Sequence, residues 1–322
     1  MTELLHLFED VPALFLATVG LLGLVVGSFL NVVIHRLPIM TERAWREGFE
    51  ESDVPVAERA AHDLEINGDG TASVGGGSRT DVAGADGAFP ADDEPFNLAV
   101  PRSRCPSCGH RIGALENVPV VSWLALRGRC SGCSAPISVR YPLVEAATAL
   151  LSVLVAWHFG PTPQALLGLV VTWFLIAMSM IDFDTQYLFD SLTLPLLWIG
   201  LLASLVPVFA DVRSAVVGAA LGYGILWSVY WLFKLVTGKE GMGYGDFKLL
   251  AAIGALLGWQ ALPMVILLSS LVGAVVGVAI IVATKRDRSV PIPFGPYLAA
   301  AGFIAMLWGE SIGGWYVSVT GL

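Results

Sequence analysis

Four cysteines form two C-x-x-C pairs that together have the donor set for one metal ion. The pairs are Cys105-x-x-Cys108 and Cys130-x-x-Cys133, and 21 residues separate them. Four thiolates with this kind of spacing favour tetrahedral zinc. A closed site of four thiolates has no open coordination position, so we expect this metal to organise the chain around it rather than to react. Two disulfides in an oxidising compartment are the alternative interpretation.

Aspartates beside apolar runs are the second group of residues suited to chemistry. Asp182, Asp184 and Asp190 lie in the segment MIDFDTQYLFDSLTLP, and Asp246 lies in GMGYGDFKLL. Two carboxylates that are brought together can share a proton, so that one activates a water molecule while the other polarises a carbonyl. This is the arrangement of aspartic proteases. For Asp184 and Asp190 we favour the simpler interpretation of a solvated or helix-capping residue, whereas the glycines before Asp246 allow a tight turn.

The elements that must position these residues are apolar enough to cross a membrane. Hydrophobic residues make up 55% of the 322 residues and charged residues 14%, against about 25% charged residues in an average soluble domain. This composition excludes an ordinary soluble domain and wholesale disorder. We expect an all-α polytopic membrane protein with about eight transmembrane helices of roughly 20 residues. The apolar runs lie near 11–34, 143–160, 164–181, 191–210, 214–236, 247–259, 261–283 and 294–317.

The distribution of basic residues predicts the orientation in the membrane. His35 and Arg36 close the first run, which begins with acidic residues and is followed by no cleavage signal, so we interpret it as a retained span. Eight spans then place both termini outside and both aspartate motifs at the cytoplasmic edge. Only Arg213 falls outside. In the second half of the chain, the basic residues that fall on the cytoplasmic side are Lys234, Lys239, Lys248, Lys285, Arg286 and Arg288.

Residues 35–142 form one polar, cytoplasmic domain in this interpretation. Its part 41–95 is an acidic Gly-rich insertion with 14 acidic residues and 4 arginines, and its part 96–142 is the small tetracysteine zinc-binding domain. Residues 143–322 form a membrane core with seven helices. The net charge of −9 comes from the insertion, and the rest of the chain is nearly neutral. We therefore expect no nucleic-acid partner, since that would need a basic patch.

Five sequence blocks in order resemble the bacterial type 4 prepilin peptidases (prepilin leader peptidase/N-methyltransferases), a family of GxGD-type intramembrane aspartic proteases. The resemblance covers nearly the whole chain. The blocks are GSFLNVVIHRLP at 27–38, CPSCGHRIGALENVPVVSWLALRGRCSGC at 105–133 with RYPLVE at 140–145, IDFDTQYLFDSLTLPLLW at 181–198, GMGYGDFKLL at 241–250 and PIPFGPYLA at 291–299.

This resemblance implies a site and an activity. Asp182, the first aspartate of the I-D-x-D-x-x-x-L block, and Asp246 would be the catalytic pair. The enzyme would remove the short basic leader of type 4 prepilins or pseudopilins after a glycine, at the cytoplasmic face of the bacterial inner membrane. It would then methylate the new N-terminus with S-adenosylmethionine. No G-x-G-x-x-G between a strand and a helix is visible, so no residue is assigned to that cofactor.

The chain departs from the family pattern in two places. Phe189 stands where the family usually has the proline of Leu-Pro-Asp, which frees the loop after Asp182. The insertion 41–95 is longer than expected. Lys239 and Lys248 flank the aspartates, and we interpret them as positive-inside anchors.

Two other functional classes fit parts of the pattern. One is an ion- or proton-coupled transporter with carboxylates at the cytoplasmic edge, although such proteins usually carry them near mid-membrane and often show inverted repeats. The other is a non-catalytic assembly scaffold that docks through its zinc domain. Substitution of the aspartates separates these classes, because a scaffold does not need them and a transporter loses flux.

Overall fold

The computed structural model describes residues 2–53, 96–239, 241–284 and 293–320. These residues form helices, two short 3-10 turns at Leu115–Asn117 and Trp259–Ala261, and isolated β-bridges, with no strand in the described ranges. The predicted all-α class is therefore confirmed. The helices are α1 Thr2–Asp10, α2 Pro12–Asp53, α3 Val121–Ala125, α4 Arg140–Phe159, α5 Pro163–Thr185, α6 Asp190–Ala203, α7 Val212–Thr237, α8 Tyr244–Leu257, α9 Leu262–Thr284 and α10 Gly295–Thr320.

Some of the sequence predictions fall outside the described residues. These are the Gly-rich part of the insertion 41–95 and the basic residues Lys285, Arg286 and Arg288.

Among the described residues, five helices are long and apolar enough to cross a membrane, so the chain is a membrane protein. The predicted count of eight is not established by length. Helices α6 and α8 have 14 residues each, or about 21 Å at 1.5 Å per residue, and the hydrocarbon core is about 30 Å thick. The five candidate spans are Pro12–Glu47, Arg140–Phe159, Pro163–Thr185, Val212–Thr237 and Trp259–Ala279.

The chain divides into two compact units, Met1–His35 with Gly113–Leu322, and Arg36–Ile112. Within the second unit, the buried Arg36 side chain donates hydrogen bonds to the backbone oxygens of Asn97, at 2.8 Å, and Pro101, at 2.5 Å. Its guanidinium also lies 5.6 Å from the centre of the Phe96 ring. Arg36 lies at the end of the first apolar run and thus holds residues 96–101, which precede the first cysteine pair, in place.

Helix α8 lies at the centre of the first unit, where it packs against α6, α7 and α10. Ten of its residues are buried, and small residues on its neighbours let the backbones approach closely. A Cβ on Gly222 of α7 would lie 2.6 Å from the backbone oxygen of Leu250, and one on Gly200 of α6 would lie 3.0 Å from the nitrogen of Leu256. Close packing on two sides therefore fixes the middle and the end of α8, the helix that carries Asp246 in its first turn.

A cluster of aromatic rings also surrounds the start of α8. Phe247 is completely buried, and its ring centre lies 5.8 Å from that of Tyr223, 5.7 Å from that of Tyr230 and 5.4 Å from that of Tyr244. Because Phe247 follows Asp246 directly, this packing constrains the rotation of α8 and hence the direction of the aspartate.

Candidate active site

Asp182 lies in the last turn of α5, and its side chain is buried, with 4% of the residue exposed. Its Oδ2 accepts a hydrogen bond of 2.9 Å from the backbone N–H of Gly295, the first residue of α10. The helix ends three residues later at Thr185, and the N–H of the next residue, Gln186, which is in a left-handed conformation, donates to the backbone oxygen of Asp182 at 2.9 Å. The carboxylate is thus held at the end of its helix by a donor from another helix.

Asp246 lies in the first turn of α8 and is also buried, with 7% of the residue exposed. Its carboxylate interacts electrostatically with that of Asp182. An acidic side chain in the first turn of a helix is favoured by the helix dipole. The structure therefore brings together the two aspartates that the sequence motifs singled out.

Leu188, in the loop between α5 and α6, packs against glycines beside both aspartates. A Cβ on Gly245, which precedes Asp246, would lie 2.5 Å from the Cβ of Leu188. A Cβ on Gly295 would lie 3.2 Å from the Cδ1 of Leu188. Neither position leaves room for a larger residue, so glycine at 245 and 295 lets this loop sit close to the pair.

Asp184 and Asp190 are oriented differently and make ion pairs. Asp184 accepts hydrogen bonds from Nη1 and Nη2 of Arg140, at 2.7 Å and 2.5 Å. Asp190, the first residue of α6, lies 2.5 Å from Nζ of Lys248. Both aspartates are exposed, in line with the surface role that the sequence favoured for them.

Sequence reasoning did not single out Gly295 or Arg140 as part of this region. Each does lie within a quoted sequence block, PIPFGPYLA and RYPLVE, so the block pattern carried a signal for both. The sequence predicts Lys248 to be a membrane anchor, and the structure places its ammonium group on Asp190.

The four cysteines lie in two turns with the same backbone hydrogen bonds. In the first turn, the N–H of Gly109 donates to the oxygen of Cys105 at 2.9 Å, and in the second, the N–H of Ser134 donates to the oxygen of Cys130 at 2.9 Å. Gly109 and Ser134 both have positive φ, of 70° and 59°. The four Sγ atoms lie within 4.8 Å of one another. In a tetrahedral zinc site with Zn–S bonds of about 2.3 Å, the sulfurs lie about 3.8 Å from one another. The spacing of these four sulfurs is compatible with that geometry, so the donor set fits a metal ion.

Comparison with known proteins identifies relatives over the whole chain. The model of the bacterial peptidase A24 N-terminal domain matches residues 21–159, and that of the type IV leader peptidase family matches residues 169–278. Proteins named prepilin leader peptidase/N-methyltransferase are similar in Aeromonas salmonicida, at 53% identity, and in Pseudomonas aeruginosa, at 51%; each match covers 99% of both chains. No solved structure matches the chain significantly.

These matches show that the chain belongs to the type IV leader peptidase family, as its sequence blocks predicted. The relatives give no support to the transporter alternative.

Proposed function

We propose that this chain is a membrane endopeptidase that removes the short basic leader from type 4 prepilins or pseudopilins, after a glycine, and then methylates the new N-terminus. The observation that carries the proposal is that Asp182 and Asp246 are both buried, while Leu188 packs against Gly245 beside Asp246 and against Gly295, which binds Asp182. Buried carboxylates are costly to the fold and are typical of catalytic sites. The names of the relatives supply the substrate class.

In this proposal the two aspartates hydrolyse the peptide bond together. The ionised member takes a proton from a water molecule, whose oxygen attacks the carbonyl carbon of the scissile bond, while the protonated member donates to the carbonyl oxygen. The tetrahedral intermediate then collapses as the leaving amine takes up a proton and the C–N bond breaks. Since the N–H of Gly295 engages Oδ2 of Asp182, Oδ1 of Asp182 is the oxygen we assign to the water or the shared proton.

The membrane arrangement that we propose follows the sequence pattern. The first span is 11–34, residues 35–142 form the cytoplasmic domain, and residues 143–322 form the peptidase core, giving eight spans with both termini outside. The site would then lie at the cytoplasmic face of the bacterial inner membrane. A prepilin would place its apolar helix in the bilayer beside the core, with the scissile bond at the edge where the leader emerges.

Two cofactors belong to this proposal. We assign a structural zinc ion to Cys105, Cys108, Cys130 and Cys133, whose sulfurs fit a tetrahedral ligand set. S-adenosylmethionine would supply the methyl group for the new N-terminal amine. The described residues contain no strand–glycine loop–helix unit of the dinucleotide-binding type, and we assign no residue to this cofactor.

The purified chain in detergent, incubated with a type 4 prepilin and isotopically labelled S-adenosylmethionine, tests both activities. Mass spectrometry of the pilin N-terminus reports leader loss, and the added label reports methylation. The expected product has lost its leader and gained one labelled methyl group. A folded enzyme that leaves every prepilin intact contradicts the peptidase proposal, and a cleaved but unlabelled product contradicts the methyltransferase part alone.

A further inference from the structure

We propose that two ion pairs, Arg140–Asp184 and Lys248–Asp190, position the aspartate pair by holding both ends of the loop between α5 and α6. Arg140 and Lys248 are then positioning residues for the reaction. This inference rests on the proposed peptidase function and assigns to Lys248 a role beyond that of a membrane anchor.

The first pair joins the start of α4 to the end of α5. Arg140 is the first residue of α4, and its guanidinium contacts both carboxylate oxygens of Asp184, at 2.7 Å and 2.5 Å. A bidentate contact of this kind fixes direction as well as distance. The Arg140 Nη2 also lies 3.5 Å from the backbone oxygen of Met180, one turn earlier in α5. The end of α5, which carries Asp182, is thereby tied to α4.

The second pair joins the start of α6 to the start of α8. Nζ of Lys248 lies 2.5 Å from Oδ1 of Asp190. Lys248 is two residues after Asp246, and Asp184 is two residues after Asp182. Residues two apart on an α-helix lie about 200° apart around its axis, so each inward aspartate has an outward charged residue on its own helix. Both catalytic motifs therefore have the same organisation, with one charge inward and one charge tied to a neighbouring helix.

The loop between the two pairs reaches back to the site through Leu188. Asp184 precedes this loop and Asp190 follows it, so the two ion pairs secure its ends. Within this loop, Leu188 fills the space beside two glycines. Gly245 directly precedes Asp246, and the N–H of Gly295 donates a hydrogen bond to Asp182. A shift of either end of the loop would move Leu188 and, with it, the spacing of the two carboxylates.

The partial exposure of these four side chains indicates that the ion pairs matter more for positioning the aspartates than for the stability of the fold. The side chains of Arg140 and Asp184 are 40% and 37% exposed, and those of Lys248 and Asp190 are 28% and 56% exposed. Partly exposed ion pairs contribute little to the stability of a fold. A displacement of about 1 Å at a catalytic group, by contrast, lowers a rate by up to about 100-fold.

The test compares leader cleavage of a purified type 4 prepilin by Arg140→Met, Lys248→Met and Lys248→Arg variants with that by wild type. The control is Lys239→Met, which removes the same charge from an exposed lysine before α8. We expect the two pair-breaking variants to lose at least about tenfold in kcat, with KM within about twofold and an unchanged thermal midpoint. Lys248→Arg and Lys239→Met should stay within about threefold of wild type.

A charge swap isolates the pairing itself. The double variant Arg140→Asp/Asp184→Arg places an acid at the start of α4 and a base at the end of α5, where both helix dipoles favour them. It should recover kcat to within about threefold of wild type. An unchanged kcat in both Met variants, a loss that follows a lowered thermal midpoint, or a well-folded swap that does not recover would each overturn the proposal. If wild type does not cleave, the proposed function itself fails, and if Asp246→Asn still cleaves, the assignment of the aspartate pair fails.

Discussion

The backbone N–H of Gly295 donates a 2.9 Å hydrogen bond to Oδ2 of Asp182, although 113 positions separate the two residues in the chain. The contact ties the start of α10 to the last turn of α5. A Cβ on Gly295 would lie 2.6 Å from the same oxygen, which is closer than a carbon and an oxygen can approach without moving. Only glycine allows this donor to reach the carboxylate in its present position.

Replacing Gly295 with alanine should therefore displace the Asp182 carboxylate and lower leader cleavage by about 100-fold. Gly313→Ala, on the same helix, is the matched control, because a Cβ there would have no heavy atom of the described residues within 4 Å. Initial rates of prepilin cleavage by the two purified variants give the comparison. Equal rates in the two variants would show that the close approach at Gly295 does not matter for activity.

A second glycine pair tests the packing of Leu188. Gly245→Ala places a Cβ 2.5 Å from that of Leu188 and should lower cleavage at least about tenfold, since Asp246 must move with its backbone. At Gly243 an added Cβ meets no described heavy atom within 4 Å, and its φ of −80° suits any residue. Gly243→Ala should thus remain active. The same prepilin cleavage assay compares the two variants. A fully active Gly245→Ala enzyme would show that close packing of Leu188 against Gly245 is not needed for activity.

The choice of Asp182 and Asp246 as the pair could be predicted from the resemblance of their two sequence blocks to the family. The contacts that hold the pair in place could not be predicted from the sequence. The Gly295–Asp182 bond and the Arg140–Asp184 ion pair join residues 113 and 44 positions apart, and they depend on how α4, α5 and α10 pack. Sequence periodicity reports which face of a helix is apolar, but it does not report which neighbour that face meets.

The lengths of two apolar helices could likewise not be predicted from the sequence pattern. Apolar runs predicted spans near 191–210 and 247–259, and the structure gives helices Asp190–Ala203 and Tyr244–Leu257 of 14 residues each. Hydropathy identifies an apolar segment, yet burial inside a bundle and burial in lipid select the same residues. Helix α8, with ten buried residues, is an apolar helix whose surroundings are largely other helices.

Phe189 should stabilise the loop between α5 and α6 by burial. Only 7% of the residue is exposed, and its φ of −78° is close to the value that proline would impose. Phe189→Ala should lower the free energy of unfolding by about 3 kcal/mol, the usual effect of emptying a buried aromatic site. The measurement is denaturant unfolding in detergent micelles.

Tyr187→Ala is the control for that measurement, because Tyr187 lies in the same loop and is 62% exposed. We expect its effect to stay within about 0.5 kcal/mol. Similar losses in the two variants would mean that Phe189 makes no special contribution to the loop.

The cysteine cluster should hold one zinc ion per chain that is needed for local structure and not for peptide cleavage. Cys105→Ser removes one of the four sulfur ligands and should lower the zinc content measured by elemental analysis by at least half. Leader cleavage should fall much less than in an Asp246→Asn variant, because a closed site of four thiolates performs no chemistry. A zinc-free variant with no cleavage at all, although folded, would assign the metal a direct part in the peptidase reaction.

The most direct test of the account is the rate of leader cleavage by Asp182→Asn and Asp246→Asn enzymes, measured beside Asp211→Asn. Asp211 caps the start of α7 by accepting hydrogen bonds from the N–H groups of Arg213 and Ser214, and asparagine caps a helix equally well. If the pair is catalytic, both site variants leave the prepilin uncut while Asp211→Asn cleaves at the wild-type rate. If either site variant, correctly folded in the membrane, still removes the leader at a rate near that of wild type, the aspartate pair is not the catalytic centre.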